Sequence, residues 1–220
     1  MRVVEIFKSI DGEGKRTGKV ATFIRLAGCN LRCGYCDTTY SFDPSNAEEM
    51  SVQEIVNRCM DLGTPLITLT GGEPLIHKDV RELIQKLSNS GFYVNIETNG
   101  SVDLTPFLED RQKYDQQVMF TVDYKTKYSG MNHKMNRKSF EGLDARRDIV
   151  KCVVGNKEDM DDALKYLDGF GIPFDIWFSP VFGAIEPKEI VDYVLSKKRY
   201  DITVQVQLHK IIWDPNKRGV

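Results

Sequence analysis

The regular alternation of short β-branched or aromatic runs with helix-patterned segments constrains this chain more than any other feature. "PLITLT", "FYVNIETNG", "QVMFTVDYK", "DIVKCVVG", "FDIWFSP" and "DITVQVQLH" read as strands. Between some of them, "SVQEIVNRCMDLG", "HKDVRELIQKLSNSG", "KEDMDDALKYLDGFG" and "EPKEIVDYVLSKK" carry apolar residues at helical spacing. Ser51 and Glu54 form a capping box, Gly63 is placed to end that helix, and Gly91 ends the next. Two more strands, "VVEIF" and "VATFIRLAG", flank the glycine-rich loop "SIDGEGKRTGK". Such alternation implies right-handed crossovers and a mainly parallel sheet with its functional loops at the strands' C-terminal ends. A closed eight-fold barrel needs roughly 250 residues, and this chain has 220. The expected fold is therefore α/β, an incomplete, curled (β/α) barrel in a single domain over residues 1–220.

Composition narrows the function classes. No apolar run approaches bilayer-spanning length, and "MRVVEIFKSIDGEG" lacks the apolar stretch and small-residue cleavage site of a secretory signal, so a cytoplasmic protein with no membrane partner is expected. A formal charge of −2 exerts no general pull on phosphate backbones, which favours a small-molecule partner over nucleic acid. Five cysteines in a reducing compartment argue for thiols over disulfides. Cys59 and Cys152 lie within apolar periodic stretches and read as small buried hydrophobes.

The other three fall together in "GCNLRCGYCDTTY", on a loop that follows a strand. Cys29, Cys33 and Cys36 can bind three irons of a four-iron cluster, leaving the last iron without a protein ligand. The competing reading is a structural zinc, with His209 or Asp37 supplying the missing ligand. "LTGGEP", residues 69–74, ends a strand with Gly71 and Gly72, whose bare backbone can approach a polar ligand closely, or which simply turns the chain before Glu73 and Pro74. "IETNG" and "DYK" close later strands, where Glu97, Thr98 and Asn99 can bond a ribose and Lys125 a carboxylate, or where they cap strand ends. "YKTKYSGMNHKMNRKSFEGLD", residues 124–144, is basic and irregular, and reads as a flexible segment near the functional end, either closing over ligand or merely solvated.

CxxxCxxC with Tyr35 before its last cysteine, followed one βα unit later by "GGEP", resembles the signature of the radical S-adenosylmethionine superfamily. The resemblance implies a [4Fe-4S] cluster on Cys29, Cys33 and Cys36, with the methionyl amine and carboxylate of S-adenosylmethionine on the open iron. It also implies a 5′-deoxyadenosyl radical made with one electron from an external reductant such as flavodoxin or ferredoxin. Cofactor contacts by resemblance are Tyr35, Cys36, Asp37, Gly71, Gly72, Glu73, Glu97, Asn99, Asp123, Tyr124 and Lys125.

Within that superfamily, "EIFKSIDGEGKRTGKVATFIRLAGCNLRCGYCDTTY" and the closing "VQLHKIIWDPNKRGV" are similar to the two ends of 7-carboxy-7-deazaguanine synthases. These convert 6-carboxy-5,6,7,8-tetrahydropterin to 7-carboxy-7-deazaguanine with loss of ammonia, on the route to queuosine and other 7-deazapurines. The resemblance implies a Mg²⁺ on Thr38, substrate contacts at Ile10, Asp11, Gly12, Glu13, Arg25, Thr70 and His209, a C-terminal Val220 that can reach the substrate, and a homodimer. Arg25 and Thr38 also have plainer readings, an inward charge paired with Glu13 or Asp37 and a turn hydroxyl. Two departures stand out. Asp11 replaces the family's glutamine, and "DYK" replaces "SPK" in a form closer to the "DxK" of glycyl-radical-enzyme activases. An activase and a non-catalytic zinc-stabilised module are thus the alternative functions.

Overall fold

The computed structural model describes residues 1–114, 117–215 and 217–220. Strands β1 (Arg2–Ile10) and β2 (Val20–Leu26) pair antiparallel, and β3 (Glu48–Glu49) adds a two-residue edge to β1. From β2 onward every pairing is parallel, through β4 (Leu66–Gly71), β5 (Tyr93–Thr98), β6 (Val118–Lys125), β7 (Ile149–Val154), β8 (Ile176–Pro180) and β9 (Ile202–Val204). The sheet order is β3-β1-β2-β4-β5-β6-β7-β8-β9, open at both edges. Helices α1 (Val52–Leu62), α2 (Val80–Asn89), α3 (Thr105–Asp110), α4 (Lys157–Asp168), α5 (Pro187–Lys197) and α6 (His209–Ile212) complete it. None of the described helices is long and apolar enough to cross a membrane.

Period-two alternation divides the strands between two environments. Ile67 and Leu69 of β4, Val94 and Ile96 of β5, Phe120 and Val122 of β6, Cys152 and Val154 of β7 and Phe178 of β8 are buried in the apolar core shared with the helices. Each such side chain contributes roughly 1.5–3 kcal/mol relative to exposure. The intervening Thr70, Glu97, Asp123, Lys125 and Lys151 line a cavity instead. The sheet is curled around this polar face. Glu13, in the loop after β1, reaches Lys151 of β7 at 3.2 Å and Ser179 of β8 at 3.1 Å. With about 4.8 Å between neighbouring strands, a flat sheet would hold these groups far apart.

The four expected helices all form. Ser51 and Glu54 make the reciprocal capping box, and Gly63 ends α1 in the left-handed conformation. "DITVQVQLH" is a strand only over Ile202–Val204, because His209 opens α6 instead of ending a strand. Helix α3 and strand β3 have no counterpart in the periodicity: the first spans six residues and the second two. Segment 124–144 was expected to be flexible. After the end of β6 it forms three 3-10 turns (Lys127–Ser129, Asn132–Lys134 and Arg137–Ser139), with Ser129, Ser139 and Phe140 buried. Ser139 Oγ donates to Val102 O and Asn136 N to Gly100 O, pinning the segment to the loop after β5.

Candidate active site

The cysteine loop leaves β2 and is fixed by its neighbours before any ligand is considered. Gly72 N donates to Leu26 O at 3.1 Å and Glu73 N to Gly28 O at 2.9 Å, so the ends of β2 and β4 lock together. A Cβ on Gly71 would sit 2.3 Å from Leu26 O, and one on Gly72 would sit 2.2 Å from Gly28 O and 2.7 Å from Cys29 Cβ. The two glycines of "GGEP" therefore let the chain approach the cysteine loop, while also lining the cavity. On the far side Gly34 N donates to Ser129 O at 3.0 Å, and the rings of Tyr35 and Tyr128 stack 6.4 Å apart.

All three loop cysteines are partly exposed and line one cavity of about 640 Å³ at the C-terminal end of the sheet. Two N–H donors point at the Cys29 sulfur, Leu31 N at 3.4 Å and Asn99 Nδ2 at 3.7 Å. Such donors stabilise thiolate in a cluster and tune its potential. Burial pushes the Cys29 and Cys33 thiols above their ordinary pKa, so metal binding there releases protons. Among the described residues, no three His, Cys, Asp or Glu side chains converge as a cage for one ion. Cys29, Cys33 and Cys36 thus share the cavity with Asp37 and His209 without closing around a single ion. Cys59 and Cys152 are fully buried elsewhere, and burial pushes Cys59 up to about 12.

The same cavity is lined by Ile10, Asp11, Gly12, Glu13, Arg25, Tyr35, Asp37, Thr38, Thr70, Glu97, Asn99, Asp123, Lys125, His209 and Val220. Thr38 Oγ1 lies 3.6 Å from Cys36 Sγ. Tyr35 carries a buried hydroxyl without a protein partner, and burial raises its pKa. Two expected contacts lie elsewhere. Glu73 is fully buried; its carboxylate accepts from Leu75 N, Thr98 Oγ1 and Asn99 N at 3.0, 2.8 and 2.6 Å, tying β4 to β5. Tyr124, flanked by Asp123 and Lys125 on β6, faces the opposite side of the sheet, where its hydroxyl donates to Asp162 and its ring packs on Tyr166.

Other side chains have partners that the sequence does not reveal. Arg25 Nε donates to Glu5 across the β1–β2 pair at 2.7 Å, not to Glu13 or Asp37. Asp11 is 3% exposed; it accepts from Thr68 Oγ1 at 2.6 Å and faces Arg16 Nε at 2.8 Å, an ion pair out of hydrogen-bond alignment. Arg16 in turn donates to Tyr93 O, Ile67 O and Thr68, plugging the sheet at the start of β4 and β5. The Asp11 carboxylate thus holds this plug while lining the cavity. A Cβ on Gly12 would strike His209 Nδ1 at 2.3 Å, so this glycine seats the imidazole. Burial lowers the pKa of His209, favouring the neutral ring.

Sequence reasoning missed Lys151, Tyr40, Phe42, Phe182, Lys210 and Arg218, which also line the cavity. Only Lys151 left a signal: a lone lysine inside the apolar run "IVKCVV". Glu13, Lys151, Asp123 and Lys125 form a continuous chain of ion pairs across the cavity floor.

The family description that matches is the Radical SAM superfamily, over residues 23–194. At the level of whole chains, the 7-carboxy-7-deazaguanine synthase of Clostridium acetobutylicum is 43% identical, covering 100% of this chain and 99% of its own length. This chain belongs to the 7-carboxy-7-deazaguanine synthase family. The enzyme of the same description from Chlorobaculum tepidum is 36% identical over 100% of this chain and 97% of its own. Among solved structures, QueE from Escherichia coli shares the fold with a TM-score of 0.75, at 24% identity and 94% coverage of both chains. Residues of the "GEG" loop, the cysteine loop and the C-terminal segment of this chain line one cavity. The zinc-module alternative does not fit that membership.

Proposed function

We propose that this chain is a radical S-adenosylmethionine carbon–nitrogen lyase that contracts the ring of 6-carboxy-5,6,7,8-tetrahydropterin to 7-carboxy-7-deazaguanine with loss of ammonia, in queuosine and 7-deazapurine biosynthesis. The observation that carries this reading is the convergence of Cys29, Cys33 and Cys36 with Glu13, Arg25 and His209 on one cavity. Cys29, Cys33 and Cys36 would hold the [4Fe-4S] cluster. With S-adenosylmethionine beside it, a cluster held there would supply one-electron chemistry.

The chain's own residues bind, aim and shield. Asp123, Lys125, Glu97 and Asn99 line the cavity; there Lys125 would meet the cofactor's carboxylate and the C-terminal end of β5 its ribose. On the substrate side Arg25, its plane fixed by Glu5, receives the pterin carboxylate as a bidentate pair. Thr38 would offer its hydroxyl to a Mg²⁺, the oxygen ligation that this hard cation prefers. Gly12 and Glu13 face the pterin edge together with His209. Tyr40, under Arg218 at 4.0 Å, and the residues up to Val220 exclude water from that side. The protein works in the cytoplasm as a homodimer and takes its electron from a flavodoxin or ferredoxin. Exposed Val191 and Leu195 on α5 and Ile211 and Ile212 on α6 supply apolar surface for such pairing.

The test is an anaerobic assay of the iron–sulfur-reconstituted, reduced protein with S-adenosylmethionine, Mg²⁺ and the pterin, read by mass spectrometry. The expected result is 7-carboxy-7-deazaguanine over several turnovers per S-adenosylmethionine. Slow 5′-deoxyadenosine release without product would overturn the substrate and point to the activase reading suggested by "DYK".

A further inference from the structure

Lys151 sits mid-strand on β7, opposite Asp123 of β6 in register, with 6% of its surface exposed. Its neighbours Val150 and Cys152 are buried in the apolar core, whereas Lys151 faces the cavity. The ammonium is shared: Nζ lies 3.2 Å from Glu13 Oε2 and 3.4 Å from Asp123 Oδ1. Asp123 Oδ2 is held by Lys125 at 2.6 Å, and Glu13 Oε1 accepts from Ser179 Oγ at 3.1 Å. Asp123 Oδ1 has no hydrogen bond, so Lys151 is its nearest compensation.

A buried ion pair is as a whole a poor stability device, since apolar residues of similar volume in place of all its members are often neutral or stabilising, whereas removing Lys151 alone leaves Glu13 and Asp123 uncompensated. What Lys151 provides is charge balance between two carboxylates that serve different ligands. We infer that Lys151 is a positioning residue that couples the two subsites, holding Glu13 toward the pterin while sharing Asp123 so that Lys125 stays available to the carboxylate of S-adenosylmethionine. This rests on the substrate reading above only for its pterin side. Without Lys151, Glu13 loses its orientation and Asp123 draws Lys125 wholly to itself, so both subsites weaken from one substitution. With Glu13 neutralised, Lys151 turns to Asp123 and Lys125 is released, so the cofactor subsite tightens.

The experiment is calorimetric titration of S-adenosylmethionine and of the pterin into anaerobically reconstituted wild type, Lys151→Met, Lys151→Arg and Glu13→Gln. Lys151→Met is expected to weaken both ligands by about tenfold, with Lys151→Arg recovering most of the loss. Glu13→Gln is expected to tighten S-adenosylmethionine by at least about twofold although it lies on the pterin side. A purely structural lysine would lower the melting temperature of Lys151→Met and leave the affinities of the folded protein unchanged, which overturns the inference. If Lys151→Met does not fold, Glu13→Gln decides alone, and an unaltered cofactor affinity overturns it. A wild type that binds S-adenosylmethionine but not the pterin would refute the substrate reading, leaving the cofactor titrations to decide the role of Lys151.

Discussion

Lys210 Nζ lies 2.9 Å from Asp37 Oδ2, joining the short C-terminal helix α6 to the residue after the last cysteine of the loop. Burial raises the Asp37 carboxyl, but the charge and hydrogen bond of Lys210, together with the charges of His209 and Lys151, hold the group below the usual carboxylate range. One ion pair thus ties the C-terminal segment to the cysteine loop at the cavity.

Lys210→Ala removes that tie. The C-terminal segment then loses its anchor beside the cysteine loop, and Arg218 its hold over Tyr40. The expected outcome is a rise of about tenfold in KM for the pterin, with a smaller change for S-adenosylmethionine, read by steady-state kinetics.

Gly72→Ala tests why "GGEP" carries its glycines. The added Cβ would stand 2.2 Å from Gly28 O and 2.7 Å from Cys29 Cβ, against backbone that cannot yield without moving Cys29. The chain should still fold, because the apolar core lies on the other face of the sheet. Its iron and labile sulfide after reconstitution should fall well below wild type, and an unchanged content would show that the close approach does not position the cluster.

Glu73 makes stability depend on pH. Burial pushes its carboxyl up to about 7 from an unfolded value of 4.5. A carboxyl with a raised folded pKa contributes stability that is fully present below 4.5 and is lost as pH rises through about 7. The difference amounts to about 3 kcal/mol. Urea denaturation should show this decline across the window in wild type, and Glu73→Gln should flatten it at the cost of the hydrogen bond that Asn99 N now donates.

Asp11→Asn probes the plug beneath the cavity. The substitution leaves the Arg16 guanidinium without its anion in a site that is almost fully closed, and breaking a buried pair in this way costs about 3–5 kcal/mol. Denaturation should register that loss. Arg16→Met combined with Asp11→Asn should recover part of it, because the double change removes both charges.

Much of this architecture was legible from periodicity. The capping box at Ser51 and Glu54 and the alternation within "YVNIET" and "VMFTVDYK" each report a local rule, and local rules survive folding. The cysteine loop and most of the cavity residues were legible through resemblance, which carries tertiary information that spacing lacks. What could not be read were the partners. Arg25 meets Glu5 because two antiparallel strands put them in register, and Glu13 meets Lys151 because the sheet curls. Glu73 was expected near the cofactor by resemblance; it is buried and accepts from Leu75 N, Thr98 Oγ1 and Asn99 N, between β4 and β5. Helix α6 was hidden because four residues hold too little apolar spacing to mark a helix.

The claim that one cavity holds cluster, S-adenosylmethionine and pterin together is tested most directly by electron paramagnetic resonance of the reconstituted, reduced protein. The expected result is a [4Fe-4S]⁺ signal that shifts on adding S-adenosylmethionine and shifts again when the pterin follows. A colourless protein holding one zinc and no labile sulfide, or a cluster signal indifferent to both ligands, would contradict it.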